Sequence, residues 1–305
     1  MHPILLQVTE NFYIGTYGVM IALGLLAAVA LAAWRAKRAG MTPDPVIDLT
    51  FIAVVAGFLG ARLTYIVVNW GEFLRAPGEL LLSRSGFVFL GGLLFAAAAC
   101  AVYLHWKGLN FWRMGDILAP SVAVGHGFGR VGCHFAGCCH GEVCGQPHGF
   151  CLSVPRIETA ETGLWPNAYY DQVLRGVIGP EAEHSLPIWP VQLMETGGLF
   201  LLAGALLLLS RRVFPLGTLV GIYMAAYAVL RFGLEFLRGD PERGLFFGET
   251  VSTSQILSVA LLGLGVWVLA SAWRSRGDPD ASRLESPSAP QLQKETGKRK
   301  RKRPE

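Results

Sequence analysis

The chain has 305 residues, of which 52% are hydrophobic and only 16% charged, a composition too apolar for an ordinary soluble domain. Its formal charge of +4 does not mark a nucleic-acid binder, because residues 274–305 hold ten Lys or Arg against five acids and the remainder is slightly acidic. The apolar residues come in runs of about 20, the length that crosses the hydrocarbon of a bilayer.

Seven such runs are predicted as transmembrane helices, at about 13–34, 46–70, 87–106, 114–132, 188–209, 216–237 and 252–273. The first is a retained span rather than a cleaved signal, since its cations Arg35, Lys37 and Arg38 follow the apolar core and none precedes it. Cations also crowd the alternate loops at Lys107, Arg113, Arg211 and Arg212, whereas segments 71–86, 132–187 and 238–250 are neutral or acidic. This bias places the N-terminus outside and the C-terminus in the cytoplasm.

Span one carries Tyr13, Tyr17 and Trp34 at its ends, where interfacial aromatics belong. Span two buries Arg62 about 12 Å below its outer end. Residues 71–86 mix Glu72, Arg75, Glu79 and Arg84 with leucines and read as an amphipathic arm on the outer surface. Span three opens with Leu90-Gly91-Gly92, whose glycines allow close helix approach or a kink.

Span four ends in the densest chemistry of the chain. Residues Gly125 to Gly141 pack Arg130, three cysteines, three histidines and six glycines into 17 positions. The segment 141–187, with Trp165, Tyr169 and Tyr170 among polar residues, is predicted as a small external subdomain between helices four and five. Span five places Gln192 and Glu195 near the outer surface, the latter at a depth of about 10 Å. Span six sets Arg231 and Glu235 four residues apart on one helix face, where each offsets the other's desolvation. The expected architecture is therefore an all-α polytopic membrane domain over 1–273, followed by a basic tail over 274–305 predicted to be disordered.

Tyr17, Arg62, Arg130, Glu195, Arg231 and Glu235 are all expected in the outer third of the membrane. Arginine forks at that depth suit the phosphate of an anionic phospholipid. The bland alternative is ion-pair glue between helices. Five of the six cysteines, Cys133, Cys138, Cys139, Cys144 and Cys151, fall on the external side, where one or two disulfides would tie down the loop. Cys100 reads as a small core residue. Other readings of the cluster are a thiol redox centre or a metal site, but the spacing is no standard zinc signature, and neither metal nor cofactor is expected.

The chain resembles the prolipoprotein diacylglyceryl transferases of bacterial cytoplasmic membranes. The likeness runs through Tyr17-Gly18-Val19-Met20, Gly60-Ala61-Arg62-Leu63, Gly91-Gly92-Leu93, Gly129-Arg130-Val131-Gly132, Pro190-Val191-Gln192-Leu193-Met194-Glu195, Arg231-Phe232-Gly233-Leu234-Glu235-Phe236 and Arg238. The resemblance implies transfer of a diacylglyceryl group from phosphatidylglycerol to the lipobox cysteine of a prolipoprotein signal peptide, with glycerol phosphate leaving. It implies that Arg130 and Arg231 stabilise the departing phosphate and that Glu235 orients Arg231. It also implies that Tyr17, Arg62, Gly91, Gly92, Gly129, Gly132, Cys133, Gln192 and Glu195 form the substrate site.

The chain departs from that pattern in three places: Leu90 stands where the family has histidine or tyrosine, and Cys133 and Cys138 stand at asparagine and acidic positions. The base for the incoming thiol is thus open among His126, His134 and His140, with His134 taken into the catalytic set. A paralogue with altered substrates and a membrane thiol redox protein using Cys133 to Cys151 are the alternative functions.

Overall fold

The structure, a computed structural model, describes residues 4–9, 12–82, 86–145, 149–156, 168–240, 244–246 and 251–275. The basic tail beyond Ser275, and Trp165 and Arg84, lie outside the described residues.

The chain begins with an antiparallel hairpin, β1 (Ile4–Thr9) on β2 (Phe12–Gly15), in which Leu6 faces Ile14 and Gln7 faces Tyr13. The first membrane helix, α1 (Thr16–Arg38), therefore starts three residues later than hydropathy suggests. The aromatic and β-branched run Phe12-Tyr13-Ile14 is apolar enough to extend a span, but it finds a strand partner upstream. The fold is accordingly helical with two small hairpins rather than purely helical.

The next elements are α2 (Asp44–Val68), two short helices α3 (Trp70–Arg75) and α4 (Pro77–Leu82), and α5 (Phe89–Trp106). The arm of the sequence reading is thus a pair of helical turns. The long α6 (Phe111–Ala136) follows, then α7 (Ala168–Leu174), α8 (Val191–Leu209) and α9 (Thr218–Glu235). A second hairpin, β3 (Leu245–Phe246) with β4 (Val251–Ser252), leads into α10 (Thr253–Arg274). Ser252 opens α10 with a capping box: its hydroxyl accepts from Gln255 N at 3.2 Å, and Gln255 Oε1 accepts from Ser252 N at 3.0 Å.

Six of these helices, α1, α2, α5, α8, α9 and α10, are long and apolar enough to cross a membrane, which makes this a mostly helical, multi-pass membrane protein. The polar α6 is not among them, and its neighbours explain why it need not be. It packs along α1, α8 and α9, so much of its surface meets protein instead of lipid. Met114, Ile117, Ala123 and Gly127 are buried by that packing. Glycine makes the closest approaches: a Cβ on Gly92 of α5 would stand 2.7 Å from the Gly57 carbonyl of α2, and one on Gly24 of α1 would stand 2.6 Å from Phe128 Cβ of α6.

Asp116 of α6 holds the start of α9. Its two carboxylate oxygens accept from Gly217 N at 2.8 Å and Val220 N at 2.9 Å, supplying from another helix the cap that α9 lacks from its own Gly217. Asp116→Ala is expected to cost about 1–2 kcal/mol, read as a lowered midpoint of thermal unfolding in detergent.

Candidate active site

The outer end of α6 supplies the first functional pair. Arg130 lies one turn after His126 on the same face. Across the interface, α8 presents Glu195, which is 1% exposed. Glu195 Oε1 stands 3.1 Å from Arg130 Nε and 3.9 Å from His126 Nε2, and it accepts a 3.1 Å hydrogen bond from the hydroxyl of Tyr227 on α9. Three helices thus meet on one carboxylate, which removes the isolated-charge cost that each would otherwise carry.

The second pair is the one expected from spacing. Arg231 Nη1 and Glu235 Oε2 are 2.7 Å apart, and Arg231 Nη2 donates to Ser254 Oγ in the first turn of α10 at 2.8 Å. The two pairs adjoin. Tyr227, one turn before Arg231, feels the charge of both Arg130 and Arg231, as does His126, whose ring packs edge-on against Tyr227 at 4.8 Å. Each arginine is therefore matched by one carboxylate.

Arg62, expected at the same level, has other partners. Its guanidinium donates to Gly86 O at 2.9 Å and to Leu80 O, and it lies over the rings of Tyr65 and Phe87. These contacts fasten the α3–α4 arm and the start of α5 to α2. Gly91 and Gly92 lie where α5 crosses α2, against Thr64 and Gly57. Gly129 borders open space, while Gly132 is pressed by Tyr17, whose ring carbon would stand 3.0 Å from an added Cβ. Leu90 brings no titratable group to the start of α5.

Beyond Arg130 the helix ends by a defined turn. Gly137 takes a left-handed φ of 76°, Gly137 N bonds to His134 O and Cys138 N bonds to Cys133 O, each at 3.2 Å. Cys139 also adopts a left-handed φ of 56°, uncommon for a residue with a side chain. These two residues fold the chain back so that the Sγ atoms of Cys133, Cys138 and Cys139 all lie within 4.8 Å of one another as free thiols. Gln192 of α8 donates to Cys138 O at 2.8 Å and fixes the turn. Hydrogen bonds from Cys133 and Cys138, with the charges of Arg238 and Arg130, hold the Cys139 thiol far below the ordinary cysteine value. The same sulfur network pushes Cys138 upward.

One disulfide forms, Cys144–Cys151, beyond the Gly125–Gly141 stretch that it was expected to tie down, and the three cysteines of that stretch are free thiols. The bridge closes the loop that precedes a small cluster of Val154, Ala168, Tyr169 and Ile188. Arg238 forms a two-pronged pair with Asp240, at 2.7 and 2.5 Å, after α9. Burial opposes the Arg238 charge, and the carboxylate outweighs it, raising the guanidinium above its usual value. Backbone bonds from Gly239 N to His140 O and from Glu142 N to Leu237 O tie this segment to the cysteine turn.

Of the three histidines, His140 is buried, with Nδ1 3.0 Å from Gly141 O and Nε2 3.8 Å from Asp171 Oδ2, and so belongs to the loop. His126 belongs to the Arg130–Glu195 network, and His134 Nδ1 has no hydrogen-bond partner among the described residues. Sequence reasoning gave no role to Tyr227, Ser254, Asp116 or Asp240. Tyr227 had a usable signal, four residues before Arg231, and Asp240 had one too, two residues after Arg238.

The family model described as prolipoprotein diacylglyceryl transferase matches residues 3–271. The phosphatidylglycerol–prolipoprotein diacylglyceryl transferase of Clostridium tetani is 32% identical over 268 residues, covering 88% of this chain and 96% of its own. The protein of that name from Mannheimia succiniciproducens is 31% identical over 270 residues, 85% of this chain and 89% of its own. With nearly its whole length matched, this chain belongs to the prolipoprotein diacylglyceryl transferase family.

Proposed function

We propose that this protein is a transferase that moves a diacylglyceryl group from phosphatidylglycerol to the lipobox cysteine thiol of a prolipoprotein signal peptide. The observation that carries the reading is the convergence of two guanidinium groups from separate helices, Arg130 on Glu195 and Arg231 on Glu235, linked through Tyr227, which donates to Glu195 and lies one turn before Arg231. In the reaction, the cysteine sulfur attacks the glyceryl carbon that bears the phosphate. A C–S bond forms, the C–O bond breaks, and its electron pair leaves with glycerol phosphate.

The phosphate gains one negative charge as it departs. Donors fixed in advance around it therefore bind the transition state better than the lipid, which is what lowers the barrier. Glu195 holds Arg130 at Nε, whereas Glu235 and Ser254 hold Arg231 at Nη1 and Nη2, so both guanidinium groups are oriented before the lipid arrives and their remaining N–H groups are the donors offered to the phosphate. Tyr17, Gly129, Gly132 and Gln192 line the lipid and peptide side. Arg62, Gly91 and Gly92 act by holding α2, α5 and the arm, and His134, with an unpaired Nδ1, is the residue of the catalytic set free to move a proton.

In this reading α6 is a seventh span, the 141–187 segment is an external subdomain facing the signal peptide, and the protein lies in the bacterial cytoplasmic membrane with its N-terminus outside. The opposed charges of alternate loops support that orientation. Fusion of a periplasm-dependent reporter after Arg274 is expected to give no signal, and fusion within 157–167 a strong one.

The reaction test uses purified protein in phosphatidylglycerol vesicles with a lipobox peptide, followed by mass spectrometry. Addition of one diacylglyceryl group is expected, and folded protein that shifts no lipobox peptide overturns the reading. Arg130→Ala and Arg231→Ala are each expected to lower kcat/KM about 100- to 1,000-fold. Glu195→Gln keeps the shape but removes the counter-charge, with an expected loss of about 10- to 100-fold in rate. Glu195→Ala is expected to cost about 3–5 kcal/mol of stability as well, by leaving a buried guanidinium uncompensated.

A further inference from the structure

The mechanism leaves three thiols unused. Cys133, Cys138 and Cys139 stand together on the membrane-surface side of Arg130, their sulfurs within 4.8 Å of one another and their side chains graded from buried Cys133 to half-buried Cys138 and Cys139. A tetrahedral ion with sulfur bonds of about 2.3 Å needs sulfur–sulfur edges of about 3.8 Å. The trio is thus within about 1 Å of ligating geometry, on a turn held by Gln192 and by its own helix-ending bonds. Cys139 sits in a left-handed conformation that glycine would adopt without strain, and the strain delivers its sulfur to the other two.

We propose that Cys133, Cys138 and Cys139 hold one zinc ion, and that its fourth position takes the thiol of the acceptor cysteine. Three protein ligands with one open position are the arrangement of reactive rather than structural zinc. A thiol that binds zinc gives up its proton, here to solvent, and stays a nucleophilic thiolate at neutral pH. The bound sulfur then attacks the glyceryl carbon as described above, the C–O electron pair leaves with the phosphate, and the thioether, a poor zinc ligand, dissociates. The ion supplies what Leu90 cannot, a lowered proton affinity at the acceptor thiol. This inference rests on the transferase reading for its acceptor, and on the sulfur geometry alone for the metal.

The experiment uses the full chain in detergent, purified with thiols reduced. Metal analysis is expected to give about one zinc per chain, and the C133S/C138S/C139S variant almost none. Because that variant could unfold, the wild type is also stripped with a chelator, which should cut transfer at least 10-fold and let added zinc restore it. In cobalt-substituted protein, a lipobox peptide should raise the sulfur-to-metal absorption by about one third, as three thiolates become four; a peptide with serine for cysteine should not.

Zinc below about 0.1 per chain, zinc kept by the triple variant, or isolation of two of these cysteines as a disulfide overturns the site. Transfer undiminished after zinc removal, or a cobalt spectrum indifferent to the peptide, overturns its role. The two readings fail separately: Arg231→Ala, which removes a phosphate donor and leaves the surroundings of the cysteine turn unchanged, should keep zinc and the peptide-dependent absorption while losing transfer. A wild type that binds zinc and peptide thiol yet transfers nothing sinks the transferase reading and leaves the metal site.

Discussion

A guanidinium held among apolar helices is tolerable only beside a carboxylate, and the central packing of this protein is arranged to satisfy that condition twice. Glu195 reaches Arg130 across the α6–α8 interface, and Glu235 reaches Arg231 one turn along α9. The cost of desolvating four charges sets which helix faces can turn inward, because any rotation that separates a pair strands a charge in a low-dielectric interior. Tyr227 joins the two pairs by donating to Glu195. The result is a polar seam through an otherwise apolar bundle, and it explains why α6 carries histidine, arginine and glycine where its neighbours carry leucine.

Much of this was legible in the amino-acid order. Runs of apolar residues mark six membrane helices, and a four-residue spacing pairs Arg231 with Glu235. The pairing of Arg130 with Glu195 was not legible, since it depends on the rotation of α6 against α8, which no single-helix pattern encodes. Hydropathy placed the end of α6 near Gly132, whereas hydrogen bonding carries it to Ala136, because a helix buried by other helices need not be apolar to its tip. The β1–β2 hairpin was absorbed into the first span for the opposite reason: Phe12-Tyr13-Ile14 satisfies an apolar criterion whether it is strand or helix.

Arg62 shows how a charge at the right depth can have different work. Composition and position alone grouped it with Arg130 and Arg231, but its fork ends on the carbonyls of Leu80 and Gly86. The cysteines divide in the same way: Cys144 and Cys151 form a covalent bridge, while Cys133, Cys138 and Cys139 are gathered by two left-handed residues that linear spacing does not announce.

Asp116, at the far end of α6, has a metric consequence. By gripping Gly217 N and Val220 N it gives α6 and α9 a common zero from which both climb in the same direction. Arg130 lies 14 residues along one rail and Arg231 lies 11 beyond Val220 on the other, or about 21 and 17 Å at the helical rise. The two forks thus arrive within less than one turn of the same height. Adding or deleting a single residue between the anchor and either fork would swing that fork about 100° around its axis, so these two stretches admit changes of side chain far more readily than changes of length.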